Sequence, residues 1–203
     1  MTFAIALTFA FSAPLLAEES PEEGIWTNTE DAYFAEAEGR EKPVWVSIEV
    51  SEDKRWRRTD PFGQPLEEWQ AGLMPGLVYS AESGWSLDGS ELRKARLFSC
   101  WASVRKFAGK PDGTEDWSFS RGLSIHDQGG RISVPGNGEA PDVLIRLRNV
   151  TWAKDSSNKP SLVLYVHRND PERAESYAWA SPDASLIGIN LRWVQASCSP
   201  AVQ

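Results

Sequence analysis

At 203 residues, 41% hydrophobic and 25% charged, the chain has an ordinary globular composition, with enough sequence for one sizeable core and too little for two. Its formal charge of −8 is local: nine of the 29 carboxylates fall between Glu18 and Glu41, opposed by Arg40 alone, so the remainder carries 20 charges of each sign. A neutral body has no basic stripe, which argues against a nucleic-acid partner, and no apolar run beyond the N-terminus approaches the length of a membrane span.

The N-terminal run from Phe3 to Leu16 is apolar, ends at Ala17 and gives way to Glu18-Glu19, the outline of a secretory signal peptide. Residues 1–17 are therefore read as a signal peptide, 18–24 as a solvated acidic leader, and 25–203 as a single β-rich domain exported to the periplasm or the extracellular space. Thr27 and Glu30 have capping-box spacing, Asp31 suits a first turn and Gly39 a stop. They predict one short helix with Tyr33, Phe34 and Ala37 on its docking face.

Strands follow. In residues 44–50, Val44, Val46, Ile48 and Val50 alternate with Trp45, Ser47 and Glu49, so Trp45 is an exposed platform if its face is uncovered. Residues 56–66 turn at Asp60-Pro61-Phe62-Gly63. Residues 92–107 place Phe98, Cys100, Ala102 and Val104 on one face, and Lys110-Pro111-Asp112-Gly113 then turns the chain. The stretch LSIHDQGGRISV, residues 123–134, reads as a hairpin closed by Asp127-Gln128-Gly129-Gly130, with Ile125 opposite Ile132. Residues 143–152, 161–168 and 185–197 complete the set, and 171–180 fits either a helical turn or a short strand.

This pattern predicts an all-β domain, an antiparallel barrel in preference to a sandwich. Gly24-Ile25-Trp26 resembles the G-x-W of lipocalin-like barrels, where the tryptophan packs beneath the barrel floor near a basic residue from the chain's end. The resemblance implies a lipocalin-like barrel with Arg192 beside Trp26. A helix signal directly after Trp26 departs from that pattern, and no family is assigned on two short patches.

Cys100 and Cys198, the only cysteines, match one disulfide in an oxidising compartment. Far apart and without a CxxC pair, they do not suit zinc. His126 and Asp127 are neighbours on a strand and point to opposite faces, so they are badly placed as a base and its orienting carboxylate. There is no G-x-S-x-G elbow and no His-x-x-x-His pair. No P-loop ending follows Gly129-Gly130 or Pro135-Gly136-Asn137-Gly138, and Asp112, Thr114 and Asp116 lack the full EF-hand spacing. No catalytic set, metal site or cofactor is expected.

The binding expectation comes from residues 143–168. If Val143, Ile145 and Leu147 share a buried face with Leu162, Leu164 and Val166, the opposite face joins Arg146, Arg148, Val150 and Trp152 to Val163, Tyr165 and His167. Closure at Trp152 and Ser161 sets Arg148 across from Tyr165 and Arg146 across from His167. Arginine forks beside aromatic rings suit a glycan, a carboxylate or a sulfate, and ten tryptophans favour a glycan. The expected ligand-binding residues are Arg146, Arg148, Trp152, Tyr165, His167 and Trp45, in a non-enzymatic domain that binds a glycan or small organic ligand. One alternative is a secreted or periplasmic hydrolase using His126 or His167 with a carboxylate. Another is a structural envelope protein whose acidic leader docks on a basic protein partner.

Overall fold

The computed structural model describes residues 20–106, 116–136 and 142–201. The predicted signal peptide, Glu18-Glu19, the turn at 110–113 with Asp112, Thr114, and Asn137-Gly138 lie outside the described residues. In chain order the strands are β1 (Gly24–Thr27), β2 (Ser47–Val50), β3 (Trp56–Arg58), β4 (Leu77–Ser80), β5 (Gly84–Leu87), β6 (Ser90–Glu91), β7 (Arg93–Lys94) and β8 (Leu97–Arg105). Then come β9 (Trp117–His126), β10 (Gln128–Val134), β11 (Val143–Val150), β12 (Ser161–His167), β13 (Ser176–Ala180), β14 (Ile187–Asn190) and β15 (Val194–Pro200). One α-helix, α1 (Thr29–Phe34), runs into a 3₁₀ turn at Glu36–Glu38.

The alternation along 97–105 works as expected: Phe98, Cys100, Ala102 and Val104 turn inward on β8. They meet Val143, Ile145 and Leu147 of β11 and Leu162, Leu164 and Val166 of β12 in one core. That core lies between two antiparallel four-stranded sheets, ordered β14-β15-β8-β9 and β10-β11-β12-β13. The all-β class is as predicted. The sheets are not closed into the barrel that the sequence favours. Cys100 and Cys198 face each other in register on β8 and β15, with their sulfurs at disulfide distance inside this core.

The stretch 123–134 is not a hairpin. Ile125 pairs with Phe98 and Ile132 with Ile145, so β9 and β10 belong to different sheets and Asp127 is the corner where the chain passes between them. Asp127 is buried and holds that corner: its carboxylate accepts from the Arg96 backbone N–H at 2.8 Å and from Arg96 Nε at 2.7 Å. The two glycines serve close packing. Gly129 has φ +82°, with the Thr29 side chain against it, and a Cβ on Gly130 would lie 2.6 Å from the His126 carbonyl oxygen.

The N-terminal half adds a second, smaller cluster of buried residues. Ile48, Val50, Met74, Leu87 and Leu92 are buried between the sheet β3-β2-β1-β7 and the three-stranded sheet β4-β5-β6. Five such residues suffice because Trp26, Trp56 and Trp85 pack on them with their large side chains. Trp26 therefore belongs to this cluster, with its Nε1 donating to the Glu22 carbonyl, and does not lie on a barrel floor. Ahead of β1, Pro21 is buried and Glu22 pairs with Lys94. In α1 the buried residues are Thr29, Glu30 and Ala32, followed by Ala35, whereas Tyr33 and Ala37 are exposed. Thr27 and Glu30 do not form the predicted capping box: Asn28 is the N-cap, and Glu30 turns toward the sandwich. Gly39 does end the segment, at φ +69°.

The disulfide spans a sequence separation of 98 residues, so opening it frees a long loop in the unfolded chain. Reduction, or the double substitution Cys100→Ala and Cys198→Ala, is expected to lower the unfolding free energy by about 4 kcal/mol. The measurement is the shift of the urea midpoint with and without reductant.

Candidate functional site

The outward face of β10 to β13 gathers most of the candidate residues. Val143, Ile145 and Leu147 share the inner face with Leu162, Leu164 and Val166, as predicted, but the register differs by two residues. Arg146 faces Tyr165, Arg148 faces Val163 and Leu144 faces His167. The reason is the turn: β11 ends at Val150, paired with Ser161, so Trp152 leaves the strand before closure.

Trp152 leaves it with φ +68°, a backbone conformation costing a bulky L-residue about 1–2 kcal/mol. Two contacts hold it there. Its Nε1 donates to the Lys159 carbonyl at 2.8 Å, and its ring lies parallel to Trp179 of β13, 5.8 Å between centroids and 5° between planes. Trp179 continues the row to Tyr177, edge-on at 5.7 Å, and Tyr177 to Tyr165 at 6.4 Å. Trp179 is 49% exposed and Tyr177 57%. Trp152 also lines, with Phe34, Glu38, Arg40 and Arg93, a cleft of about 500 Å³ beside α1, while Trp179 lines an open cleft of about 580 Å³ with Pro160 and Pro182. The stacked pair thus contributes one ring to each cleft.

The two arginines have different surroundings. Arg148 is buried and pairs through Nε with the equally buried Glu30 of α1. Its guanidinium lies 3.7 Å from the Tyr33 ring centroid, and the second Glu30 oxygen accepts from the Thr151 backbone N–H at 3.0 Å. Arg148 thus joins helix to sheet. Arg146, two residues earlier on the same face, lies over Tyr165 at 5.8 Å and has no ion-pair partner among the described residues. Trp45 lies apart from this row: it precedes β2, is half-buried and donates through Nε1 to Thr29 Oγ1 at 2.9 Å. Tyr177 and Trp179 escaped the sequence reading because residues 171–180 lacked a clear period. Their alternation with Ala178 and Ala180, which pack on the core, was the available signal.

Neither histidine is hydrogen-bonded to a hydroxyl or a carboxylate among the described residues. His126 is buried with both ring nitrogens unpartnered, and burial pushes it down to about 4. His167 is buried, approaches the Asp170 carbonyl through Nδ1 at 3.3 Å and leaves Nε2 unpartnered. Desolvation lowers its pKa also, and the neighbouring Arg146 and Arg131 add to this against the Asp170 contact. Among the described residues no three His, Cys, Asp or Glu side chains converge as metal ligands, and no helix is long and apolar enough to cross a membrane. The chain matches no family model, no curated protein and no solved structure.

Two stability measurements follow from this geometry. Glu30→Gln leaves Arg148 charged and buried without its counter-ion, so it is expected to cost about 3–5 kcal/mol in denaturant unfolding. The double variant Glu30→Gln with Arg148→Met is expected to cost less than Glu30→Gln alone. His126 protonates near 6.5 in the unfolded chain and near 4 in the folded one, so the unfolded state takes up the extra proton between those values. Its contribution is intact above pH 6.5 and is lost as pH falls toward 4, by about 3 kcal/mol in total. His126→Leu should flatten that part of the stability profile relative to wild type.

Proposed function

We propose that the chain is an exported, non-enzymatic β-domain that binds a glycan on the outer face of β11 to β13. The observation that carries this reading is the Trp152–Trp179 pair with Tyr177: flat rings, partly exposed, held in place by a left-handed backbone residue and bordered by open clefts. Sugar rings present C–H faces to such π-surfaces and hydroxyls to the polar groups beside them. Two exposed aromatic side chains side by side on a sheet give up hydrophobic stabilisation unless something covers them, and contiguous exposure of this kind marks binding surfaces. Around the row, Arg40, Arg93, Lys154 and Glu38 supply donors and acceptors at the cleft rim. The predicted signal at residues 1–17, together with a cysteine pair at bonding distance, supports export. Among the described residues neither histidine is hydrogen-bonded to the serine hydroxyl or carboxylate that a hydrolase reading needs.

The test is calorimetric titration with neutral and acidic oligosaccharides, alongside fatty acids and simple aromatics. Trp179→Ala and Trp152→Ala are each expected to weaken glycan binding about tenfold or more, equivalent to ~1.4 kcal/mol. Trp101→Ala on β8, a partly exposed ring in the other sheet, should leave the affinity unchanged. Affinity lost with Trp101 and kept without Trp179 would overturn the reading.

A further inference from the structure

Strand pairing arranges the outer face in rungs. Arg131, Arg146, Tyr165 and Tyr177 are successive partners across β10, β11, β12 and β13, and Gln128, Arg148, Val163 and Trp179 form a second rung. Like charges opposite each other in a sheet repel, and here two arginines face each other with a third two residues along on the same side. Two of the three have a carboxylate: Arg148 has Glu30, and Arg131 has Glu172 at 3.1 Å. Arg146 has neither an ion pair nor a hydrogen bond among the described residues. Its Nε is shut off from solvent without a partner, while its two terminal nitrogens keep some solvent contact and have no hydrogen bond among the described residues. Burial, Arg148 and Arg131 oppose its positive charge and outweigh the support it receives from Tyr165 and Glu172. On the same face the buried Arg148 and His167 leave Nη2 and Nε2 unpartnered. The cluster is one negative charge short, and the shortfall lies beside the tyrosine end of the aromatic row.

We infer that Arg146 anchors an oxyanion, a carboxylate or a sulfate, carried by a sugar that rests against Tyr165 and Tyr177. The inference rests on the glycan reading and narrows it to acidic glycans. A guanidinium fork with free terminal nitrogens matches either oxyanion, and in a partly desolvated site such a charge-assisted pair is stronger than its surface counterpart. The two tyrosines provide ring faces and hydroxyls next to it. The anion would also relieve the repulsion within the three-arginine group, so part of the binding free energy comes from a cost already present in the empty protein.

The experiment titrates the full chain with oligosaccharides of glucose, of glucuronic acid and of sulfated glucose, for wild type and Arg146→Gln. Wild type is expected to bind one or both acidic series about tenfold or more above the glucose series. The glucuronate and sulfate arms identify which oxyanion is used. R146Q should erase that preference, bringing the acidic series down to the level of the glucose series, and leave the melting temperature of the free protein unchanged or raised, because a repelling charge has been removed. A merely structural arginine would instead lower the melting temperature and weaken all series alike. Independently of any variant, the acidic series should lose affinity with added NaCl while the glucose series does not. Equal binding of neutral and acidic series, or a preference that survives in R146Q, overturns the anion anchor and leaves the aromatic reading standing. Absence of binding by every series overturns that reading as well.

Discussion

Glu30 and Arg148 lie 118 residues apart in the chain and meet as a charged pair with almost no solvent contact. Two charges withdrawn from water are tolerated only when they compensate each other, and here the carboxylate oxygens are filled while the guanidinium relies on Glu30 and the Tyr33 ring, with Nη2 left unpartnered. One Glu30 oxygen takes the guanidinium, the other takes the Thr151 N–H, and the Tyr33 ring covers the cation. The helix that carries Glu30 has six residues, far too few to be stable in isolation. Its place is therefore set by this contact and by the Thr29 hydroxyl donating to the Gln128 carbonyl at 2.9 Å. With α1 fixed, the cleft beside Trp152 acquires its second wall, and the N-terminal sheets gain a defined position on the sandwich.

The seam continues from Glu30 to the corner at Asp127. The Asp127 carbonyl accepts from the Asn149 N–H at 2.6 Å, next to Arg148, while its carboxylate fixes Arg96 at the start of β8. A buried carboxylate at the point where the chain changes sheets ties the corner to β8 through charge-assisted hydrogen bonds, and the main-chain bond from Asn149 ties it to β11. Gly129 and Gly130 let Thr29 and His126 come close enough for the corner to close. His126 fills this packed region without a partner for either nitrogen, so it acts as an aromatic filler that must stay neutral.

Face assignment was legible in the sequence and register was not. Alternation alone places Phe98, Cys100, Ala102 and Val104 inward, and aligns Val143, Ile145 and Leu147 with Leu162, Leu164 and Val166, because a wrong parity would expose the whole set. A slip of two residues keeps every apolar side chain inside, so nothing in the pattern distinguishes Arg146 opposite Tyr165 from Arg146 opposite His167. The turn decides that, and Trp152 with its left-handed backbone is not a residue that announces a turn. The corner at Asp127 misleads for a related reason: Asp and two glycines fit a hairpin and a crossing between sheets equally well, and only the long-range partners Phe98 and Ile145 separate them. Glu30 has the spacing of a local cap, yet its partner is distant in sequence, where local pattern has no reach.

Arg146 and Arg148 show how cover, more than residue type, divides structural from binding roles on this sheet. They share a strand and a face, and each neighbours aromatic rings. Above Arg148 sit Glu30, Tyr33 and Phe34, so its charge is compensated from within and its loss would be felt as lost stability. Among the described residues Arg146 has the Tyr165 ring and no carboxylate of its own, the nearby Glu172 being paired with Arg131. A guanidinium left partly desolvated and uncompensated is unfavourable in the free protein, and folding tolerates it because the buried sheet beneath is large enough to carry the cost. Such a group is preorganised for an anion: its Nε is buried, two neighbouring arginines repel it, and an arriving negative charge has little reorganisation to induce. The aromatic row begins at this uncovered position and runs through Tyr165, Tyr177 and Trp179 to Trp152, so charge recognition and ring stacking fall on one continuous surface.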